Sequence, residues 1–495
     1  MAHSALEALS VTDGCATLLV VRERAAAGQP SSPRDLGPVR VDRHVYAQVV
    51  RECRRRPLQA VWIETAPGGV RIETGLGGVC PLYLAADGDG RHLFGSWELM
   101  DLRTLLSPGG LDEWELTRLL TGTVGYGHAT LFARVRRLSE RSTAHFREDG
   151  LSLLYPPPAA HALPTRITAG ADVVAGFEAL AAHVLSRRPL AGGLVAAHLS
   201  GGMDSTNLAL TLAAAFPGSV TPCALLIDGP AGAQQSMRRR AIIDSSPFAF
   251  GADCVVAAAQ HLPLHPDGRR RLAADRISPM EEPYVEAAHT LAGRLAERGI
   301  TTVVTGFGGD EVFDSRPGDT VDTAAPPLPP WCGPHVRDLI GEARVTGTAP
   351  PTVAPETALD ALSVATPLLA RQGLWALAPF TDPDMVRFGE RLPAEWKRDK
   401  LILRHRLACL GLPEDVVFPP LRENFGRLMN EAVHRHAVPL LRGWGEDLHL
   451  IEQGYLAPQP FAEAVERAAA GPEEAAPYRT VLYLVTAVEL TLRAL

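Results

Sequence analysis

Apolar positions in the first 155 residues come in short runs: VTDGCATLLVV, QAVWIET, GVRIETG, CPLYLAAD and RHLFGSW. Gly, Asp and Pro break them up, a pattern that predicts strands and turns. The stretch LLYPPPAAHALP follows at 153–164. Three consecutive prolines exclude a helix and disfavour a central strand, so 156–165 is predicted to be a linker. From residue 170 the period lengthens. GADVVAGFEALAAHVLSRR has apolar residues at helical spacing, GGLVAAHLS reads as a buried strand, and DSTNLALTLAAAF as the next helix. VTPCALLID, ADCVVAAA and ITTVVTG are further strands, separated by helical segments such as VEAAHTLAGRLAERG. Strand alternating with helix implies a mostly parallel sheet covered on both faces. The fold class expected is therefore α/β. A β-rich domain spans 1–155, a linker 156–165 and a parallel-sheet domain 166–495, of which roughly the last 110 residues are helical in pattern. Residues 314–356, rich in Pro, Asp, Thr and Gly, form an insertion that is either a loop over a site or disordered.

Composition narrows the class. A chain of 495 residues, 46% hydrophobic and 21% charged, suits a globular protein of two or three domains. A net charge of −8 argues against nucleic acid as a partner. No apolar run reaches the ~18–20 residues of a membrane span. The start, MAHSALEALSVTDG, lacks the basic and apolar segments of a signal peptide. Seven scattered cysteines without a CxxC disfavour disulfide frameworks and zinc sites. A reduced, cytoplasmic protein is expected. Of the 48 cationic side chains only Lys397 and Lys400 are lysines. Where arginine serves almost everywhere, a surviving lysine marks either chance or a place that a wide guanidinium cannot fill.

Two glycine-rich motifs carry the chemistry. Ser200-Gly201-Gly202-Met203-Asp204-Ser205 follows a predicted strand and precedes a helix. Glycines let backbone approach a ligand, and amides at a helix start point toward an anion. Ser200 and Ser205 add hydroxyls. Asp204 beside a phosphate implies an intervening Mg2+. The sequence is not a Walker A loop, because no GK[ST] follows. Thr305-Gly306-Phe307-Gly308-Gly309-Asp310-Glu311 ends another predicted strand. Side by side, the two loops would face one crevice. There Asp310 supplies a second metal ligand and Glu311 a base or orienting carboxylate. Read alone, the second motif is equally a glycine turn with solvated acids. Arg238 to Arg240 read as a solvated basic patch, as do Arg54 to Arg56, and His434 and His436 as a solvated helix face.

Together the motifs resemble those of the asparagine synthetase superfamily, enzymes that cleave ATP between its α and β phosphates. Glu282-Pro283, APFTDPDMVRFGERLP, the helix start Arg398-Asp399-Lys400-Leu401-Ile402-Leu403-Arg404 and LPEDVV match the family's order. In the N-terminal half GGVCPLYLA, FGSWELMDLRTLL and TLFARVRRLSERSTAHF resemble its glutaminase-like half. The resemblance implies a degenerate glutaminase-like (Ntn-type) sandwich followed by a HUP-like, PP-loop synthetase domain. It implies ATP and Mg2+ as cofactors, with pyrophosphate held by Ser200 through Ser205. Asp204 and Asp310 would hold the metal. Leu199, Leu225, Thr305 and Gly306 would line the nucleotide, and Lys400 and Glu311 would act in catalysis.

Two departures shape the expected reaction. The family's glutaminase needs cysteine after the initiator methionine, and here Ala2 stands there, so the amine must come with the substrate. Phe307 replaces the tyrosine that resembling β-lactam synthetases use for proton transfer. A third branch, the lasso-peptide cyclases, resembles this chain in its GGDE-type motif, in Leu328-Pro329-Pro330-Trp331 and in the terminal helix VLYLVTAVELTLRAL. The resemblance thus implies an AMP-forming ligase that closes a macrolactam on a leader-cleaved ribosomal precursor peptide. A leader peptidase and a leader-binding protein would be its partners. The alternatives are a β-lactam-synthetase-like or ammonia-dependent asparagine-synthetase-like enzyme, and an inactive scaffold.

Overall fold

A computed structural model describes residues 5–24, 37–55, 58–76, 80–123, 125–168, 170–314, 328–343 and 346–495. Ala2, Arg56, Gly78, Val79 and most of the proline-rich start of the insertion, 315–327, lie outside the described residues.

The described residues of the N-terminal half form ten strands. They are β1 (Leu6–Thr12), β2 (Thr17–Glu23), β3 (Val39–Arg40), β4 (Ala60–Ala66), β5 (Gly69–Thr74), β6 (Leu82–Ala86), β7 (Leu93–Ser96), β8 (Arg136–Leu138), β9 (Thr143–Arg147) and β10 (Gly150–Leu154). A mixed sheet runs β10-β9-β5-β4-β2-β1-β3, and a small antiparallel sheet runs β7-β6-β8. Val61, Ile72 and Ala144 from the first meet Leu82, Leu84 and Leu138 from the second, so alternate residues of the two sheets share one core. The outer face of the large sheet is covered by a helix that the strand pattern concealed, α1 (Arg43–Arg55). Its Tyr46 and Cys53 pack with Val11, Val20 and Trp62. A second unforeseen helix, α2 (Glu113–Thr121), starts where Asp112 accepts a hydrogen bond from Glu115 N at 3.1 Å. It stops at Gly122, whose φ of 67° needs no Cβ.

The segment predicted to link the halves is extended but fastened. Ala159 N donates to Pro351 O at 2.8 Å, and Thr165 N to Arg391 O at 2.9 Å. Beyond it come α3 (Val173–Ser186), β11 (Val195–His198), α4 (Met203–Ala215), β12 (Val220–Leu226), α5 (Gly229–Asp244), β13 (Cys254–Ala257), β14 (Thr302–Val304) and β15 (Trp375–Leu377). The five strands pair only in parallel, in the order β13-β12-β11-β14-β15. Buried on both faces, they read as continuous apolar runs such as VAAH and VTPCALL. The chain is thus mixed α/β, with a mixed sheet and a parallel sheet flanked by helices. The insertion is not one long loop. Cys332 bridges to Leu456, Trp331 stands edge-on to Tyr478, and a helix spans Pro334–Ala343. All seven cysteines carry free thiols. No described helix is long and apolar enough to cross a membrane.

Candidate functional site at the crest of the parallel sheet

Strand order reverses on either side of β11: the chain moves from β11 to β12 on one flank, then returns to β14 on the other. Such a switch point opens a crevice beyond the carboxyl ends of the two strands, where ligands bind in open α/β sheets. Both glycine motifs lie there, one after β11 and the other after β14.

The first loop turns at Gly201, whose φ of 92° suits glycine, and delivers Gly202 as the N-cap of α4. Gly202 N donates to Ser200 Oγ at 3.2 Å, and the Ser200 and Ser205 hydroxyls lie 2.9 Å apart. The second loop is pressed against the first. A Cβ on Gly306 would come 2.8 Å from Ser205 N, and one on Gly309 would overlap the Asp204 carboxyl group. These glycines therefore serve close approach between loops, a role separate from touching a ligand.

Lys400 closes the site. Its ammonium pairs with Asp204 and, at 2.7 Å, with Asp310 Oδ1. The lysine reaches them from a left-handed turn, φ 50° at Asp399 and 57° at Lys400, that starts the helix Leu401–Cys409. Burial drives the Asp204 carboxyl up to about 6 against the pull of Lys400, with Asp310 and Glu311 adding to the rise. Burial also opposes the Lys400 charge, yet its two carboxylate neighbours outweigh that and raise its pKa. Asp204 Oδ1 is buried with no hydrogen-bond partner. That oxygen lies against Gly309, and a carboxylate oxygen left without a donor, in a pair of aspartates that share one lysine, fits a hard divalent cation such as Mg2+. Glu311 Oε1 accepts from Thr357 Oγ1 at 2.8 Å, which aims it across the cleft.

Two contiguous hollows share His198, Ser200 and Phe307. One, about 350 Å3, is floored by Asp204, Asp310 and Glu311; the other, about 300 Å3, is an apolar slot beside Leu225, Leu291 and Phe425. Phe307 stands between them. The structure thus gathers Ser200, Gly202, Asp204, Ser205, Gly306, Asp310, Glu311 and Lys400 around one crevice. Leu225 lines its apolar end, where its carbonyl accepts from Gln235 Nε2 at 3.1 Å. Leu199 donates its N–H to Cys223 O at 2.8 Å. Thr305 turns away: its hydroxyl bonds Leu377 O at 3.2 Å, so it ties β14 to β15 and offers the crevice no side-chain donor.

Three residues were not foreseen, and two were read otherwise. Gln235 bonds Ser200 O, Leu225 O and Ile227 N, holding the ends of β11 and β12 in register. Arg238 corrects the reading of a solvated patch. It is 2% exposed, donates to Val416 O at 2.8 Å and pairs with Glu423 at 2.9 Å. Arg239 is likewise buried and pairs with Asp253. Glu423 lies 3.1 Å from the position a Gly201 Cβ would take, so a carboxylate backs the first loop. Thr357, which steadies Glu311, is the third unforeseen residue, after Gln235 and Glu423. His434 and His436 are half-buried at a π-turn, and no group able to hold a metal ion occurs there among the described residues. No protein-family model matches this chain, and no curated protein matches it.

Proposed function

We propose that this chain is an ATP- and Mg2+-dependent amide-forming ligase. A carboxylate attacks the α-phosphate of ATP, giving an acyl-adenylate and pyrophosphate, and an amine then displaces AMP. The observation that carries the reading is the meeting of Lys400, Asp204 and Asp310 across two interlocked glycine loops at a switch point. The α4 amides and the Ser200 and Ser205 hydroxyls suit a pyrophosphate, as helix starts suit anions. Asp204 and Asp310 would hold Mg2+, which neutralises phosphate charge when bound. Lys400, already between them, supplies a compact positive charge where negative charge builds. Glu311, steadied by Thr357, suits binding or deprotonating the amine. The apolar slot suits the nucleoside.

The N-terminal half is then a glutaminase-like domain packed on the synthetase domain. The finer reading is macrolactam closure: the amine is the N-terminus of a leader-cleaved ribosomal peptide, and the carboxylate an Asp or Glu side chain of the same peptide. Phe307 at the waist of the cleft, lacking a hydroxyl, favours this over β-lactam closure. Holding both ends of one chain makes the amide step effectively unimolecular. A leader peptidase and a leader-binding protein are the partners this implies, in the cytoplasm. The test is to supply ATP, Mg2+ and a leader-cut precursor peptide. AMP, pyrophosphate and a peptide lighter by one water are expected. ADP and phosphate as products would remove the ligase reading. An unchanged peptide beside adenylation of a free amino acid would remove the cyclase.

A further inference from the structure

A separate cavity of about 260 Å3 lies where the N-terminal sandwich meets the parallel-sheet half. That is far beyond the ~10–15 Å3 that seats one water. Its charged lining is Glu98, Glu115, Arg118, Arg137, Glu281 and Asp360. Most of these groups are matched. Arg118 pairs with Glu115 and donates to Ala343 O at 2.5 Å and Thr346 O at 2.9 Å. Arg137 pairs with Asp360 at 3.1 Å and donates to Gly127 O at 3.1 Å. Arg371 reaches in from behind and pairs with both Glu98 and Glu281.

Beyond the lining, the buried Arg270 also acts on Glu281, opposed by Glu282 and Glu286. One lining carboxylate oxygen is nevertheless left without a donor. Glu281 is 4% exposed; Arg371 engages one of its oxygens, and the other, Oε2, is buried without a partner. An unsatisfied buried carboxylate oxygen is unfavourable unless a donor arrives. Burial accordingly raises this carboxyl above the usual carboxylate range, against the pull of Arg270. Around it Leu119, Leu131, Met280 and Val364 give the cavity an apolar body. A hard metal ion held here would keep a water shell against the aliphatic side chains that line the cavity, a poor match for its apolar body. A charged head with several N–H donors on a short apolar stem matches both features.

We propose that this interface cavity binds a small organic monocation, a primary alkylammonium group, with Glu281 Oε2 as its acceptor. The site is distinct from the ligase cleft. The helix Glu356–Arg371 separates them, presenting Asp360, Ser363 and Val364 to this cavity and Ala358 and Ala361 to the other. The inference does not rest on the ligase reading, and no nucleotide enters its test.

The experiment is isothermal titration calorimetry of the full chain without ATP. The probes are n-butylammonium, its neutral counterpart n-butanol, and a lysine-containing dipeptide. One butylammonium per chain is expected, bound at least about tenfold more tightly than butanol, the scale of a charge-assisted hydrogen bond. Glu281→Gln should lose that preference. Val364→Phe, which fills the cavity and leaves Glu281 in place, should abolish binding and decides the matter if the first variant does not fold. Tighter binding of the dipeptide supports an amine carried on a peptide, and tighter binding of butylammonium supports a free amine. Equal affinity for butylammonium and butanol, or unchanged binding in Val364→Phe, would overturn the proposal.

Discussion

The two halves of the molecule use buried charge in opposite ways. In the N-terminal sandwich, buried polar groups act mainly as fasteners to the other half. Glu23 accepts from Trp375 Nε1 at 2.9 Å and pairs with Arg188 at 3.2 Å, and Glu140 accepts from Val353 N at 2.6 Å. Most of these groups find partners that fix the docking of one half on the other. At the crest of the parallel sheet, charge is concentrated and left short of partners. Asp204 keeps one oxygen bare, as Glu140 does in the sandwich, but here one lysine also serves two aspartates. Fasteners stabilise a fold, whereas a cluster kept under electrostatic tension is poised for a ligand. The contrast is why the candidate site belongs to the second half although the first contributes much of the buried charge.

Breaking a fastener should produce the largest change in stability. Glu23 is 2% exposed and satisfies Trp375, Arg188 and Gln59 N together. Glu23→Ala should lower the unfolding free energy by about 3–5 kcal/mol, the cost of leaving one member of a buried pair alone. Urea unfolding measures it. On the ligase reading proposed above, ATP turnover per folded molecule should stay near wild type; a rate loss without a stability loss would erase the distinction between the halves.

The reverse pattern is expected at the crest. Lys400→Arg should fold with a denaturation midpoint near wild type yet lose at least about 10²-fold in AMP release, the scale of removing one charge-stabilising contact. A planar fork cannot occupy the point between Asp204 and Asp310 that the ammonium fills. Full activity in this variant would show that positive charge alone suffices there.

A smaller effect concerns pH. His128 lies in the sandwich, its ring stacked on Tyr155 and its Nε2 3.0 Å from Ser142 Oγ. Burial, with Arg137 and Arg136 adding repulsion, lowers its pKa from 6.5 to about 4. The folded protein thus binds this proton less readily than the unfolded chain does. Its stabilising contribution is complete above pH 6.5 and is lost as pH falls toward 4. Between pH 6.5 and 5 the loss should be about 1.5 kcal/mol, the slope rising toward 1.4 kcal/mol per pH unit as the unfolded histidine protonates. His128→Gln should flatten that limb of a stability–pH curve, and an unaltered slope would place the acid sensitivity elsewhere.

What the sequence revealed follows the same division. The crest loops were legible because glycines, hydroxyls and carboxylates lie adjacent in the chain, and the strand before each loop is a short apolar run. The α1 helix was legible in principle: Tyr46, Val49, Val50 and Cys53 keep helical spacing, but surrounding strands set the expectation. Asp112 with Glu115 likewise forms the start signal of α2. Arg238 with Glu423 was not legible, since nothing local tells a buried guanidinium from a solvated one when its partner is far along the chain. The linker fasteners and the seat of Trp331 are tertiary facts of the same kind.

The smallest expected effect is the sharpest control on the crest. Lys397 and Lys400 are the chain's only lysines, three positions apart. Scarcity alone does not distinguish them, because both survive in a chain that otherwise uses arginine. Their surroundings do. Lys400 sits between two carboxylates, whereas Lys397 ends the four-residue helix Ala394–Lys397, half-exposed, and makes no ion pair among the described residues. A surface substitution away from such features changes stability by about 0.5 kcal/mol or less. Lys397→Arg should therefore leave both the unfolding midpoint and AMP release at wild-type values, measured beside Lys400→Arg in one preparation series. Equal losses in the two variants would mean that lysine matters here for a reason other than the Asp204–Asp310 bridge, and the electrostatic account of the crest would fail with it.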